Sequence, residues 1–428
     1  MSRYLLASTP AQGHTAPLLA LARTLVDNGD EVVFYTTPNY RDKVLSTGAG
    51  FEGFVPEFDA HDLMVANPDR ERGLRRGLGG VRDDLRRIFI DPIPMQAAGV
   101  DKILDQFHPD VVIADSMFLG VLALAGRERN VGPRVVIIGV MPLPLSSRDT
   151  APFGSALRPS TSPLGRIRNH TMNWLVRHVV MGDIQRYAQE KLFEAGGPRL
   201  THFLVDAPAQ LADSFLQATA ESIEYPRSDL PTSVRFVGSI DPLPTEDFKP
   251  PPWWGHLDAR RPVVHVTQGT LDNADLSRLV SPTLNALAGE DVFVVATTGG
   301  PDPSSFRTAL PANAVIERLI PHNELLGKVD VMVTNGGYGG VQQALSNGVP
   351  LIVAGDSEDK PEVATRVEWS GAGINLRSGR PRASQIRNAV LTVLTNPSYT
   401  INARRIQRDL LSHDPLDEIV AVLNDVAN

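Results

Sequence analysis

Short apolar runs alternate with amphipathic stretches, and turns rich in glycine or proline separate them. Tyr4–Ala7 is the first apolar run, and the turn Thr9-Pro10-Ala11-Gln12-Gly13-His14 follows it. From Pro17 to Val26 apolar residues recur at helical spacing, and Asn28-Gly29 supplies a stop signal. Glu31–Tyr35 reads as a strand, Tyr40–Leu45 as a short helix and Phe51–Val55 as another strand. Val111–Ala114 and Val135–Val140 are β-branched runs without polar alternation, the pattern of strands buried on both faces. Strand and helix alternating in this way predict a parallel sheet covered by helices.

The rhythm breaks between Met141 and about Tyr187, a stretch rich in Pro, Ser and Arg. Phe153, Met172, Trp174 and Met181 are scattered through it. Two readings stand: a wall for an apolar ligand, or a surface excursion with a helix over Ile167–Val180. Proline density then rises from Ser239 to Pro252, which suits a stiff, extended linker. Beyond it the α/β rhythm restarts. Strands are expected at Val263–Val266, Val292–Ala296, Val315–Glu317, Val331–Val333 and Leu351–Val353. Helices are expected at Leu276–Leu287 and Asn323–Lys328, and from Tyr399 onward. The division that follows is a first Rossmann-like domain over 1–240, a linker over 241–255, a second such domain over 256–400 and a helical segment over 401–428. Two doubly wound sheets facing across a cleft would bind ligands at the C-terminal ends of their strands.

Composition narrows the class. The 428 residues are 42% hydrophobic and 21% charged, ordinary for a globular protein. A net charge of −8 argues against a nucleic-acid partner. There is no cysteine, hence no thiolate chemistry and no disulfide, and the cytoplasm is the expected location. No run of apolar residues is long enough to span a membrane. The arginine-rich region Arg70–Arg87 suits peripheral membrane association or, more plainly, a solvated helix face. A monomer and a homodimer are both compatible with the sequence.

The densest chemical signal is Asn335-Gly336-Gly337-Tyr338-Gly339-Gly340, between an apolar run and a helix-compatible segment that includes Gln343. Glycines let a ligand approach the backbone, and the first N–H groups of a helix point outward with the positive end of its dipole. That makes either a diphosphate site or an ordinary tight turn. Gly13-His14 and Asp115 both fall at strand ends. His14 reads as a proton acceptor or a helix cap. Asp115 reads as an N-cap or as the carboxylate that orients His14. Thr267-Gln268-Gly269-Thr270 offers amides and a hydroxyl, or a simple turn. Gly355-Asp356-Ser357-Glu358-Asp359-Lys360-Pro361 offers polar groups for a polyhydroxylated ligand, or a solvated loop. The ten histidines show no metal-binding spacing, so no metal site is expected. No hydrolase elbow, P-loop or dinucleotide fingerprint is present.

Taken together these motifs resemble the UDP-glycosyltransferase superfamily with the GT-B fold, in particular the bacterial macrolide and natural-product glycosyltransferases. The resemblance covers nearly the whole chain. It implies that His14 is the base and Asp115 its partner, with Gly13, in the same loop, among the donor-binding residues. Leu319-Ile320-Pro321-His322 is similar to the element whose backbone grips the nucleotide base, so Leu319, Ile320 and His322 are implied in donor binding. Asn335 to Gly340, with Gln268 and Thr270, would hold the diphosphate, Gln343 the ribose, and Asp359 with Lys360 the sugar. Four positions depart from the family pattern. Asn335 stands for a histidine, Gly340 for a hydroxyl donor, Leu319 for a stacking Trp, and Lys360 for a Gln. The implied activity is inverting, metal-independent transfer from a UDP- or dTDP-sugar to a hydroxyl of an apolar small molecule. The nucleotide sugar would be a co-substrate and no cofactor is implied. A sugar-nucleotide epimerase and a non-catalytic sugar-nucleotide-binding protein are the alternatives.

Overall fold

The computed structural model describes residues 1–54, 82–126, 132–244, 248–270, 272–306 and 309–427. Residues 70–81 of the arginine-rich region, Val55 at the end of the expected third strand, and residues 245–247 of the linker lie outside the described residues.

Thirteen strands among the described residues form two all-parallel sheets. The first contains β1 (Arg3–Ala7), β2 (Glu31–Thr36), β3 (Gly50–Gly53), β4 (Val111–Asp115), β5 (Arg134–Gly139), β6 (Ser214–Gln217) and β7 (Val234–Phe236). Their spatial order is β3-β2-β1-β4-β5-β6-β7. The second contains β8 (Val263–Thr267), β9 (Phe293–Thr297), β10 (Ala314–Glu317), β11 (Val331–Thr334), β12 (Leu351–Val353) and β13 (Gly373–Asn375), in the order β10-β9-β8-β11-β12-β13. In each sheet the order reverses at one place, between β1 and β4 and between β8 and β11. A crevice opens there, outside the carboxyl ends of the strands.

Burial explains the strand signals. Every residue of β4, β8, β9 and β11 is buried, as a parallel sheet covered on both faces requires. Two apolar clusters flank each sheet. They do not follow chain order. Ala220 and Ile223 belong to a core of the second sheet, whereas Ile419, Val422 and Leu423 of the last helix, Pro415–Ala427, belong to a core of the first. The chain therefore crosses back to its starting domain.

Several elements differ from the sequence expectation. The first helix runs Gln12–Asp27 and begins before the expected start at Pro17, because the Ala11 carbonyl accepts N–H groups from His14 and Thr15 at 2.9 Å each. Pro17 sits in its second turn, where it removes one intrahelical donor. His14 is thus on a helix rather than in a free loop. The helix expected from Leu276 starts at Val280. Between Met141 and Tyr187 the chain forms a loop, a helix over Pro163–Leu175, a π turn over Val176–Val180, and the start of a helix over Gly182–Glu194. Among the described residues no helix is long and apolar enough to cross a membrane.

Candidate active site

At the β1/β4 crevice the loop after β1 is laced to itself. The Ser8 and Thr15 hydroxyls meet at 2.9 Å, where one donates to the other, and both lie within hydrogen-bond reach of the Thr9 carbonyl. This fixes Thr9 against the end of β4. Asp115 is fully buried there, and its carboxylate is ringed by donors. The Thr9 N–H approaches Oδ2 at 2.5 Å, and the Met117 N–H approaches Oδ1 at 2.8 Å. His14 Nδ1 lies 2.7 Å from Asp115 Oδ1. A carboxylate with no proton accepts, so Nδ1 carries the hydrogen and Nε2 keeps its lone pair. Burial works against the His14 imidazolium, but the Asp115 charge and hydrogen bond, with Asp359 behind them, outweigh it and raise the pKa above the ordinary histidine value.

Asp359 thus acts on His14 from the other sheet. It precedes the helix Lys360–Trp369, which follows β12. Burial and neighbouring Glu358 push its carboxyl up to about 6, with Lys360 opposing. Lys360 itself is buried, and its ammonium is held by Glu358 at 2.7 Å, Ser357 at 3.1 Å and Asp272 at 3.4 Å. Its charge is spent inside the loop cluster.

At the β8/β11 crevice the backbone dominates. Gly336 has φ +91°, and a Cβ there would sit 2.7 Å from a methyl of Val353, so glycine is required. The Gly336 N–H is held by the Thr334 hydroxyl at 3.2 Å. Space is open beside Gly337 and Gly339, where a Cβ would meet nothing within 4 Å. Beside Gly340 the nearest atom to such a Cβ would be His322 Cε1 at 3.8 Å. The helix Tyr338–Ser346 starts at this turn, and its first N–H groups have no intrahelical acceptor.

The side chains here turn inward. Asn335 Nδ2 donates to the Gln268 carbonyl at 2.6 Å and ties the two strand ends together. The Gln268 amide donates to the carbonyls of Asp272 and Asp275 and accepts the N–H groups of Leu279 and Val280. This bonding explains the late start of the helix at Val280. The Tyr338 ring lies in the second core, its hydroxyl 3.4 Å from Glu224, and burial pushes its pKa up. Gln343 Oε1 meets His322 Nδ1 at 2.7 Å, and burial lowers the His322 pKa, so the imidazole stays neutral. Leu319 is 59% exposed, a free apolar surface beside the buried Ile320, and Thr270 is exposed.

The structure therefore brings Gly13, His14 and Asp115 to one crevice, and Gln268, Thr270 and Asn335 to Gly340 to the other. His322 and Gln343 pair with each other, and Asp359 lies close enough to His14 to alter its charge. Reading the sequence missed Thr9 and Met117 as donors to Asp115, and Asp272 and Glu358 as acceptors for Lys360. Backbone N–H groups leave no residue-type signal, and acidic loop residues are common. Among the described residues no group of three or more His, Asp or Glu is placed to hold a metal ion.

Two parallel-sheet α/β domains with paired crevices define the GT-B fold. Comparison with known proteins agrees. A family model described as the C-terminal domain of erythromycin biosynthesis protein CIII-like proteins matches residues 281–426. The 4'-demethylrebeccamycin synthase of Lentzea aerocolonigenes is 43% identical over 429 residues, covering 99% of each chain. UDP-glycosyltransferase 2 of Phaeomoniella chlamydospora is 34% identical and covers 99% of this chain and 95% of its own. The crystal structure of the kitacinnamycin glycosyltransferase superposes with a TM-score of 0.76 at 20% identity, over 100% of this chain and 99% of the other. The chain belongs to the UDP-glycosyltransferase family, and it is a glycosyltransferase.

Proposed function

We propose that the enzyme transfers a sugar from a UDP- or dTDP-sugar to a hydroxyl of an apolar natural product or lipid, with inversion at the anomeric carbon. The observation that carries the reading is the 2.7 Å contact between His14 and a buried, fully ligated Asp115. His14 Nε2 takes the proton of the acceptor hydroxyl as its oxygen attacks the anomeric carbon. The bond from that carbon to the diphosphate breaks on the opposite face, and its electron pair leaves with the nucleoside diphosphate. Asp115 stabilises the imidazolium as it forms. The N–H groups at Gly337 to Gly340 and the positive end of their helix stabilise the departing diphosphate, in the role a metal ion fills elsewhere.

The inward bonding of Asn335, Gln268 and Tyr338 supports a diphosphate site made of backbone. Exposed Leu319 suits a face of the nucleotide base, and Asp359 suits a sugar hydroxyl between the crevices. A relative named as a synthase of 4'-demethylrebeccamycin supports a natural-product acceptor.

The test is a mass-spectrometric transfer assay without added metal. UDP- and dTDP-sugars are crossed with apolar hydroxylated acceptors, using wild type and His14→Ala. A product with one added sugar, formed by wild type and lost in the variant, is expected. Conversion of the donor without an acceptor would point instead to epimerisation.

A further inference from the structure

The helix that begins beside Asp359 is gripped by the other domain. Glu362 lies in its first turn and is 4% exposed. Its Oε1 accepts the N–H groups of Gly154 and Ala156, each at 2.8 Å. Gly154 has φ +90° and Ala156 has φ +50°, uncommon for a residue with a Cβ. Backbone turned this way aims alternate N–H groups at one point and makes a concave anion site. The anion is a carboxylate from the opposite domain. The Thr365 hydroxyl, one turn further along, donates to the Pro361 carbonyl of its own helix at 2.8 Å and lies 3.3 Å from the Ala156 carbonyl.

Glu362 is also anchored from behind. Its Oε2 accepts from Arg366 at 2.9 Å, and Arg366 reaches Glu224 at 3.0 Å and the Leu143 carbonyl at 3.4 Å. Arg227 lies 3.7 Å from the same Glu224 oxygen and donates to the Leu143 carbonyl at 2.8 Å. Two carboxylates and two guanidiniums thus balance in a buried cluster. Leu143, Gly154 and Ala156 all lie on the irregular stretch after β5, and Asp359 and Glu362 lie three residues apart at the start of one helix.

We infer that Glu362 is a positioning residue, which clamps the loop around Gly154–Ala156 to the helix carrying Asp359 and so sets the acceptor wall against the donor sugar. The inference rests on the transfer reading for its catalytic part. The clamp itself is mechanical and does not. Reactants held in register gain rate through orientation, and a loosened wall loses it without loss of nucleotide affinity.

Glu362→Asp tests this directly. It keeps the charge balance of the buried cluster but draws the carboxylate back from the two N–H groups. Glu362→Ala removes both, and its buried cluster carries an extra positive charge that threatens folding. Amide hydrogen exchange, nucleotide affinity, melting temperature and steady-state transfer are measured for wild type and Glu362→Asp. Faster exchange confined to the Gly154–Ala156 loop is expected, with the Kd for UDP or dTDP within about twofold. The acceptor kcat/KM is expected to fall about ten- to a hundredfold, the worth of a charge-assisted hydrogen bond. Unchanged exchange would overturn the clamp. Unchanged acceptor kcat/KM, or an equal collapse of nucleotide binding, transfer and melting temperature, would overturn the positioning role. Absence of transfer by wild type would count against the proposed reaction alone, because exchange reads the clamp without substrate.

Discussion

The two crevices occupy matching places in their sheets but use different chemistry. At β1/β4 the proposed working group is a side chain, and the backbone serves it: N–H groups of Thr9 and Met117 fix Asp115, which fixes His14. At β8/β11 the roles are reversed. The side chains of Gln268, Asn335 and Tyr338 brace the fold, and the backbone of a glycine turn is what faces the cleft. Proton transfer needs a titratable atom at one exact spot, which only a side chain supplies. Holding a diphosphate needs several donors over a wider surface, which a helix start supplies without any particular side chain. On the proposed reading the second crevice would absorb changes such as Asn335 and Gly340, whereas the first has no spare parts.

The sharpest way to break this contrast is His14→Ala. Turnover on unactivated hydroxyls is expected to fall by roughly two to four orders of magnitude, with nucleotide affinity unchanged. An unaltered turnover number would remove His14 from the chemistry. Asp115→Asn should cost about ten- to a hundredfold, from the loss of a charged hydrogen bond. Its pH profile is more telling. In wild type His14 is neutral only above a pKa raised past 6.5, so if it is the proposed base kcat/KM should fall as pH drops through a value above 6.5. Without the Asp115 charge, burial prevails and the acid limb should move to lower pH. A limb that stays in place would show that Asp115 does not set the His14 charge.

Gly336→Ala probes the other side. A Cβ at φ +91° and 2.7 Å from Val353 should destabilise the fold by about 1–3 kcal/mol and weaken nucleotide binding. A melting curve and a UDP titration decide; unchanged values in both would mean the turn is not rigid. Tyr338→Phe is expected to do least, altering nucleotide Kd by less than about twofold, since its hydroxyl meets Glu224 in the core. A large loss of nucleotide binding there would contradict the backbone reading.

The same contrast governs what the sequence made legible. Strands such as Val111–Ala114 and Val331–Val333 announce themselves because burial on both faces leaves only apolar residues. β7 and β13 lie at sheet edges and are only partly buried, so no apolar run is required of them, and β6, Ser214–Gln217, mixes polar with apolar residues. His14 and Asp115 were legible as candidates because both stand at strand ends, although their contact joins positions far apart in the chain. The direction of side chains in the glycine turn was not legible. Nothing in the string Asn335 to Gly340 says that Asn335 bonds the Gln268 carbonyl or that Tyr338 turns to the core. Lys360 is a similar case: the charge was visible, but the three acceptors that hold it come from the loop after β8 and from its own turn.

The return of the last helix to the first domain has a consequence for how the molecule is made. Ile419, Val422 and Leu423 complete a core whose first strand is Arg3–Ala7. As the chain leaves the ribosome, the second domain has all its strands before the first has its final cover. The first domain must wait, with one apolar face uncapped, until Pro415–Ala427 has been made. Trimming the tail would therefore injure the half of the protein most distant from it in sequence.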